Sequence, residues 1–136
     1  METKRLSKHF TVEELEDETT HELVLAVGFI GKLEELRAVY NNAMVVTSGC
    51  RSESHNRWLI LRGYPASPNS FHLIKNAKYQ TGGCCAVDIA RPAAAYLHRL
   101  MKVATNSGWS IGVGNTFIHL DRRVDYTDRK PVVYSY

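Results

Sequence analysis

Two short stretches alternate between apolar and polar positions and share one design. In Ala86-Val87-Asp88-Ile89-Ala90, Val87 and Ile89 project to one side of a strand, and Ala86, Asp88 and Ala90 to the other. In Phe117-Ile118-His119-Leu120-Asp121, Ile118 and Leu120 face a core and leave His119 and Asp121 on the opposite face. An Asp within a β-branched strand is costly unless its charge is compensated. Two strands of one sheet, each with a polar group on its non-core face, place Asp88 close to His119. His72, in Ser70-Phe71-His72, lies just upstream of the first strand.

The remaining pattern predicts helices alternating with short strands. Leu6 and Phe10 anchor an extended lead-in, and Thr11-Val12-Glu13-Glu14 has the spacing of a capping box. Thr19-Thr20-His21-Glu22 repeats that signal. It predicts a longer helix to about residue 40, with Leu23, Val27, Ile30, Leu33, Leu36 and Tyr40 facing inward. Residues 44–47 read as a strand, and Ser52 caps a helix over about 53–62. Residues 63–69 are a loop by their Gly and Pro content, and 75–83, polar and ending Gly-Gly, read as an exposed excursion. Arg91-Pro92 predicts a helix start, running to about 106 with Leu97, Leu100, Met101 and Ala104 buried. Residues 109–113 and 116–123 form a hairpin across Gly114-Asn115, and Pro131-Val132-Val133-Tyr134 is a last edge strand. Trp58 and Trp109 are expected in the core. The expected fold is α+β: a small, mainly antiparallel sheet with helices on one face and a zinc cleft on the other, in a single domain spanning 1–136.

Composition narrows the function. A chain of 136 residues suits one domain with a real core, and 44% hydrophobic with 23% charged residues is ordinary globular usage. The net charge of +3 is too weak to argue for nucleic acid, and no basic run is present, but it suits an anionic polymer such as a cell wall. The N-terminus METKRLSKHF has no apolar segment of signal-peptide type, and no stretch is of membrane-spanning length. Synthesis in the cytosol is therefore expected, with release by another agent if the protein acts outside. Cys50, Cys84 and Cys85 form no C-x-x-C pattern and read as free, partly buried thiols rather than zinc ligands.

A hydrolytic zinc requires about three protein ligands, an open position and a nearby general base. His72, Asp88 and His119 are the candidate ligands, Asp121 the candidate base and Arg51 the cation for a substrate carboxylate or an oxyanion. A single His or Asp on a strand is more often structural than a ligand; the joint pattern is what points to a metal.

That joint pattern is also a resemblance. Thr47-Ser48-Gly49-Cys50-Arg51-Ser52, Ser70-Phe71-His72-Leu73, Ala86-Val87-Asp88-Ile89 and Gly112-Val113-Gly114 followed by Phe117-Ile118-His119-Leu120-Asp121-Arg122 resemble the zinc D-Ala-D-Ala carboxypeptidase superfamily. That group includes phage L-alanyl-D-glutamate endopeptidases and the hedgehog-like fold. Leu6-Ser7-Lys8-His9-Phe10-Thr11 resembles the start of its small single-domain phage and bacterial members. The resemblance implies one Zn2+ per chain on His72, Asp88 and His119. It also implies that Arg51 and Ser70 line the cleft, Arg51 facing substrate and Ser70 supporting the site. The activity implied is cleavage of peptidoglycan peptides, as in an endolysin acting on the wall after release, with a monomer expected.

The sequence departs from the pattern in two places. Residues 76–83 or so are an insertion between His72 and Asp88. Asn115 and Thr116 occupy positions where branches of the family often carry the base, and neither residue type serves as one. Asp121 is left as either the base or a group that orients a ligand. Two other functions share these motifs: a D,D-carboxypeptidase trimming terminal D-Ala, and a non-catalytic zinc or wall-binding domain.

Overall fold

The computed structural model describes residues 3–136. Four α-helices and one five-stranded sheet follow each other along the chain. They are α1 (Val12–Leu15), α2 (Phe29–Tyr40), β1 (Val46–Ser48), α3 (Glu53–Leu61), β2 (Ala86–Ala90), α4 (Ala94–Asn106), β3 (Ser110–Val113), β4 (Phe117–Asp121) and β5 (Val133–Ser135). The strand order is β1-β2-β4-β3-β5. The first four strands pair antiparallel and β5 joins β3 in parallel, so the α+β fold has a mixed sheet. Among the described residues no helix is long and apolar enough to cross a membrane.

The alternation in β2 and β4 sorts their side chains as expected. Val87, Ile89, Ile118 and Leu120, with Ile111 of β3, are buried in one core cluster with Phe29, Leu33, Leu36 and Tyr40 of α2 and Leu97, Leu100 and Ala104 of α4. Trp109 meets Phe29 edge-on in that core, with ring centroids 5.8 Å apart. α3 stands apart from this helical layer. Asn56 is its only fully buried residue, and Trp58 lies on the surface against Tyr64 and Arg62 rather than in the core.

Several boundaries differ from expectation, for local reasons. α1 has its capping box, Thr11 with Glu14. The second Thr-Thr-His-Glu signal does not start a helix. Asp17 captures the Thr19 and Thr20 amides at 2.7 and 2.8 Å and folds that stretch into a turn. His21 then has a positive φ, Leu25 bridges to Cys84, and α2 begins only after Gly28, whose φ is +79°. Val27, expected inside, is exposed. α4 starts at Ala94 rather than at Pro92. The 75–83 excursion is not wholly exposed: Asn76 and Thr81 are buried, and Asn76 Nδ2 donates to the carbonyls of Asn69 and Ser70.

Register aligns the cleft face of the sheet. Ser48 pairs with Asp88, Asp88 with His119, His119 with Gly112 and Gly112 with Tyr134, one row across all five strands. A Cβ at Gly112 would come within 2.8 Å of the Tyr134 and Tyr136 rings. The missing side chain is what lets these two aromatics lie over the sheet beside His119.

Candidate metal centre

Each of the three candidate ligands has one ring or carboxylate atom aimed at the same point. The Nδ1–H of His72 donates to the Gly49 carbonyl at 2.7 Å, which leaves Nε2 with its lone pair inward. The Nε2–H of His119 donates to Asp121 Oδ2 at 2.8 Å, so Nδ1 faces inward. His72 Nε2 and His119 Nδ1 are 3.1 Å apart, and Asp88 Oδ1 lies 3.1 Å from the first and 2.9 Å from the second. Two zinc ligands at about 2.0–2.1 Å in a tetrahedron stand roughly 3.3 Å apart, so the triangle is of the right size and chemistry for zinc. Among the described residues these three are the only group of His, Cys, Asp or Glu whose ligand atoms gather in this way.

Burial and mutual contact set the charges of the three groups. Burial opposes ionisation of Asp88, but the two histidines outweigh it and hold its pKa far below the carboxylate range. Burial pushes the His72 pKa down, favouring the neutral ring. Burial also pulls on His119, yet its hydrogen bonds to Asp121 and Asp88 prevail and raise its pKa. The two carboxylates beside His119 thus favour positive charge on its ring.

The triangle opens into a cleft of about 810 Å³. Arg51, Ser70, His72, Asp88 and His119 all line it. The Ser70 hydroxyl accepts the His72 amide at 3.1 Å, and the Arg51 amide donates to the His72 carbonyl at 2.8 Å. Arg51 is buried. Its Nη1 donates to Asn56 Oδ1 at 3.1 Å, and its buried Nε–H has no acceptor.

Asp121 is placed differently from a base in contact with cleft water. It is fully buried and is not part of the cleft lining. Oδ2 accepts from His119 and from Arg123 Nη2 at 2.7 Å, while Oδ1 accepts the Arg123 amide at 2.9 Å and its Nε at 3.0 Å. Burial would raise its pKa, but His119 and Arg123 hold it down at about 2. Cys84 and Cys85 are buried packing thiols outside the triangle. His55 turns away from the cleft to Asp17 at 3.2 Å.

Several residues that shape the site were not singled out from sequence. Asp17 accepts the Ser52 amide at 2.5 Å and so fixes the segment that carries Arg51; Asp17-Glu18-Thr19-Thr20 is a readable Asx-turn sequence. Arg123 ties Asp121 to the cleft and lies over the rings of Phe71 and Tyr134 at 5.2 and 5.3 Å. Tyr134 and Tyr136 reach the cleft only through the parallel pairing of β5 with β3, which no local pattern announces.

A His/Asp/His triangle on a sheet face, with both histidines buried and a cleft beside it, is a group that could hold a metal ion. The model of the family Peptidase M15 matches residues 8–121, most of the chain, and the chain belongs to that family. This places it in the zinc D-Ala-D-Ala carboxypeptidase superfamily. Comparison with curated proteins and with solved structures gives no significant match.

Proposed function

We propose that this single domain hydrolyses an amide bond in peptidoglycan stem or cross-link peptides, using one zinc ion per chain held by His72 Nε2, His119 Nδ1 and an Asp88 oxygen. The observation that carries this reading is the triangle of three inward ligand atoms, 2.9–3.1 Å apart, at the wall of a cleft large enough for a peptide. A zinc ion there would polarise the scissile carbonyl and lower the pKa of the attacking water toward about 7.

The chain's own groups divide the remaining work. Arg51, which lines the cleft, binds a substrate carboxylate or the developing oxyanion there, where a charge-assisted bond is strong. Ser70 and Gly49 fix the backbone and ring of His72. Asp121 orients His119 and keeps its Nδ1 available, which is the role its burial and committed oxygens favour over that of general base. Production in the cytosol followed by release to the wall, as for an endolysin, is part of the proposal.

Purified muropeptides digested with the zinc-loaded protein test it. Products heavier by one water in total, lost on chelation and restored by zinc, are expected, and their masses identify the bond as an internal one or a terminal D-Ala. Bound zinc with no cleavage of any muropeptide would move the protein to a wall-binding role.

A further inference from the structure

Resting on that peptidase reading, we propose that Lys78 and Arg129 form a second anion-reading pair at the cleft, separate from Arg51, which selects stem peptides bearing a free carboxylate over the same peptides amidated. The charges that line the cleft are unbalanced. Arg51, Lys78, Arg123 and Arg129 face it, and among the described residues the only acidic side chain that lines it is Asp88, which is engaged by His72 and His119. Arg123 is already neutralised by Asp121. Lys78 and Arg129 are exposed, and among the described residues neither has a carboxylate partner.

Lys78 is held rather than loose. Its Nζ stands 5.2 Å over the Tyr79 ring, and that ring stacks on Phe71 with centroids 4.9 Å apart. The Tyr79 amide donates to Asn76 Oδ1 at 2.9 Å, and Asn76 in turn clamps the carbonyls of Asn69 and Ser70. The segment between His72 and Asp88 therefore presents its lysine from a platform built onto the His72 loop. Arg129 comes from the approach to β5, beyond the 8–121 span shared with the family.

A cleft whose lining cations outnumber its acidic side chains attracts an anion and focuses its field inward. A γ-linked glutamate in a stem peptide leaves its α-carboxylate free, and amidation erases that charge while keeping the shape. Two exposed cations acting on one carboxylate are expected to give roughly tenfold discrimination, which shrinks as salt screens them.

The test uses paired stem peptides, free-acid and amidated. Cleavage by the zinc-loaded protein is followed by mass spectrometry, and equilibrium binding by calorimetry. The proposal predicts about tenfold preference for the free acid in both kcat/KM and Kd at low salt. The double variant Lys78→Gln/Arg129→Gln should bring the ratio close to 1, chiefly through KM for the free acid, with an unchanged melting temperature. No preference in the wild type, or a preference that survives in a folded double variant, would overturn it. Binding preference without cleavage of either peptide would support the pair and sink the peptidase reading. Cleavage without preference would do the reverse.

Discussion

His119 Nε2 lies 2.8 Å from Asp121 Oδ2, two residues on along the same strand face, and this bond turns the Nδ1 of His119 toward His72 and Asp88. Asp121→Asn keeps the size of the side chain but removes the charge that fixes the ring. Zinc affinity should fall by about 10- to 100-fold, with cleavage largely recovered at saturating zinc. Activity measured against free zinc decides it. A loss of kcat that no zinc concentration repairs would make Asp121 the base instead.

Gly49 has no room for a side chain. A Cβ there would lie 2.6 Å from the Leu15 carbonyl oxygen and 2.7 Å from the Leu15 Cα. Relief of that clash must move the Gly49 carbonyl, which receives the His72 Nδ1–H. Gly49→Ala should cost about 1–3 kcal/mol of stability. It should also weaken zinc binding, although the residue touches no metal. Thermal unfolding with a zinc titration checks both, and unchanged zinc affinity would break the link drawn between α1 and the site.

The clustering of Asp88 and His119 was legible in sequence because strand alternation is a local property. Val87 and Ile89, or Ile118 and Leu120, fix which face Asp88 and His119 occupy, and the pairing of Asp88 with His119 completes the row. Arg51 and Ser70 were legible through motif resemblance. The opposite wall was not. Tyr134 and Tyr136 enter through β5, and a parallel partner 20 or more residues along the chain from β3 leaves no trace in periodicity. The start of α2 was misread because Thr19-Thr20-His21-Glu22 has helix-capping composition, while Asp17, two residues earlier, takes the same amides for a turn. In β4, alternation located Asp121 on the right face without revealing that Arg123 covers it.

Asp17 should dominate part of the acid limb of stability. Burial opposes its ionisation, but bonds from Ser52, Thr20 and Thr19 prevail and hold its pKa well below the ordinary carboxylate value. A depressed folded pKa means that this stabilisation is complete above the unfolded value of about 4 and is lost as pH falls below it. The melting temperature should therefore drop below about pH 4. Asp17→Asn, less stable at neutral pH by about 1–3 kcal/mol, should show a shallower drop. Parallel melting curves for the two proteins would exclude Asp17 as a contributor.

Zinc binding should release a proton, since the raised pKa of His119 keeps its ring charged in the metal-free protein. Affinity is then expected to rise with pH across the neutral range, on the order of tenfold per unit for one proton. Calorimetry in buffers of different ionisation enthalpy measures the protons released. A pH-independent affinity would mean that His119 is already neutral before metal arrives.

The central claim is that His72, Asp88 and His119 together hold one zinc ion. Zinc content after equilibrium dialysis, measured on the purified chain and on its His72→Ala, Asp88→Ala and His119→Ala variants with folding checked by circular dichroism, tests it most directly. The account predicts one zinc per wild-type chain and a large loss of zinc in each folded variant. No zinc in the wild type, or undiminished zinc in any folded variant, would contradict it.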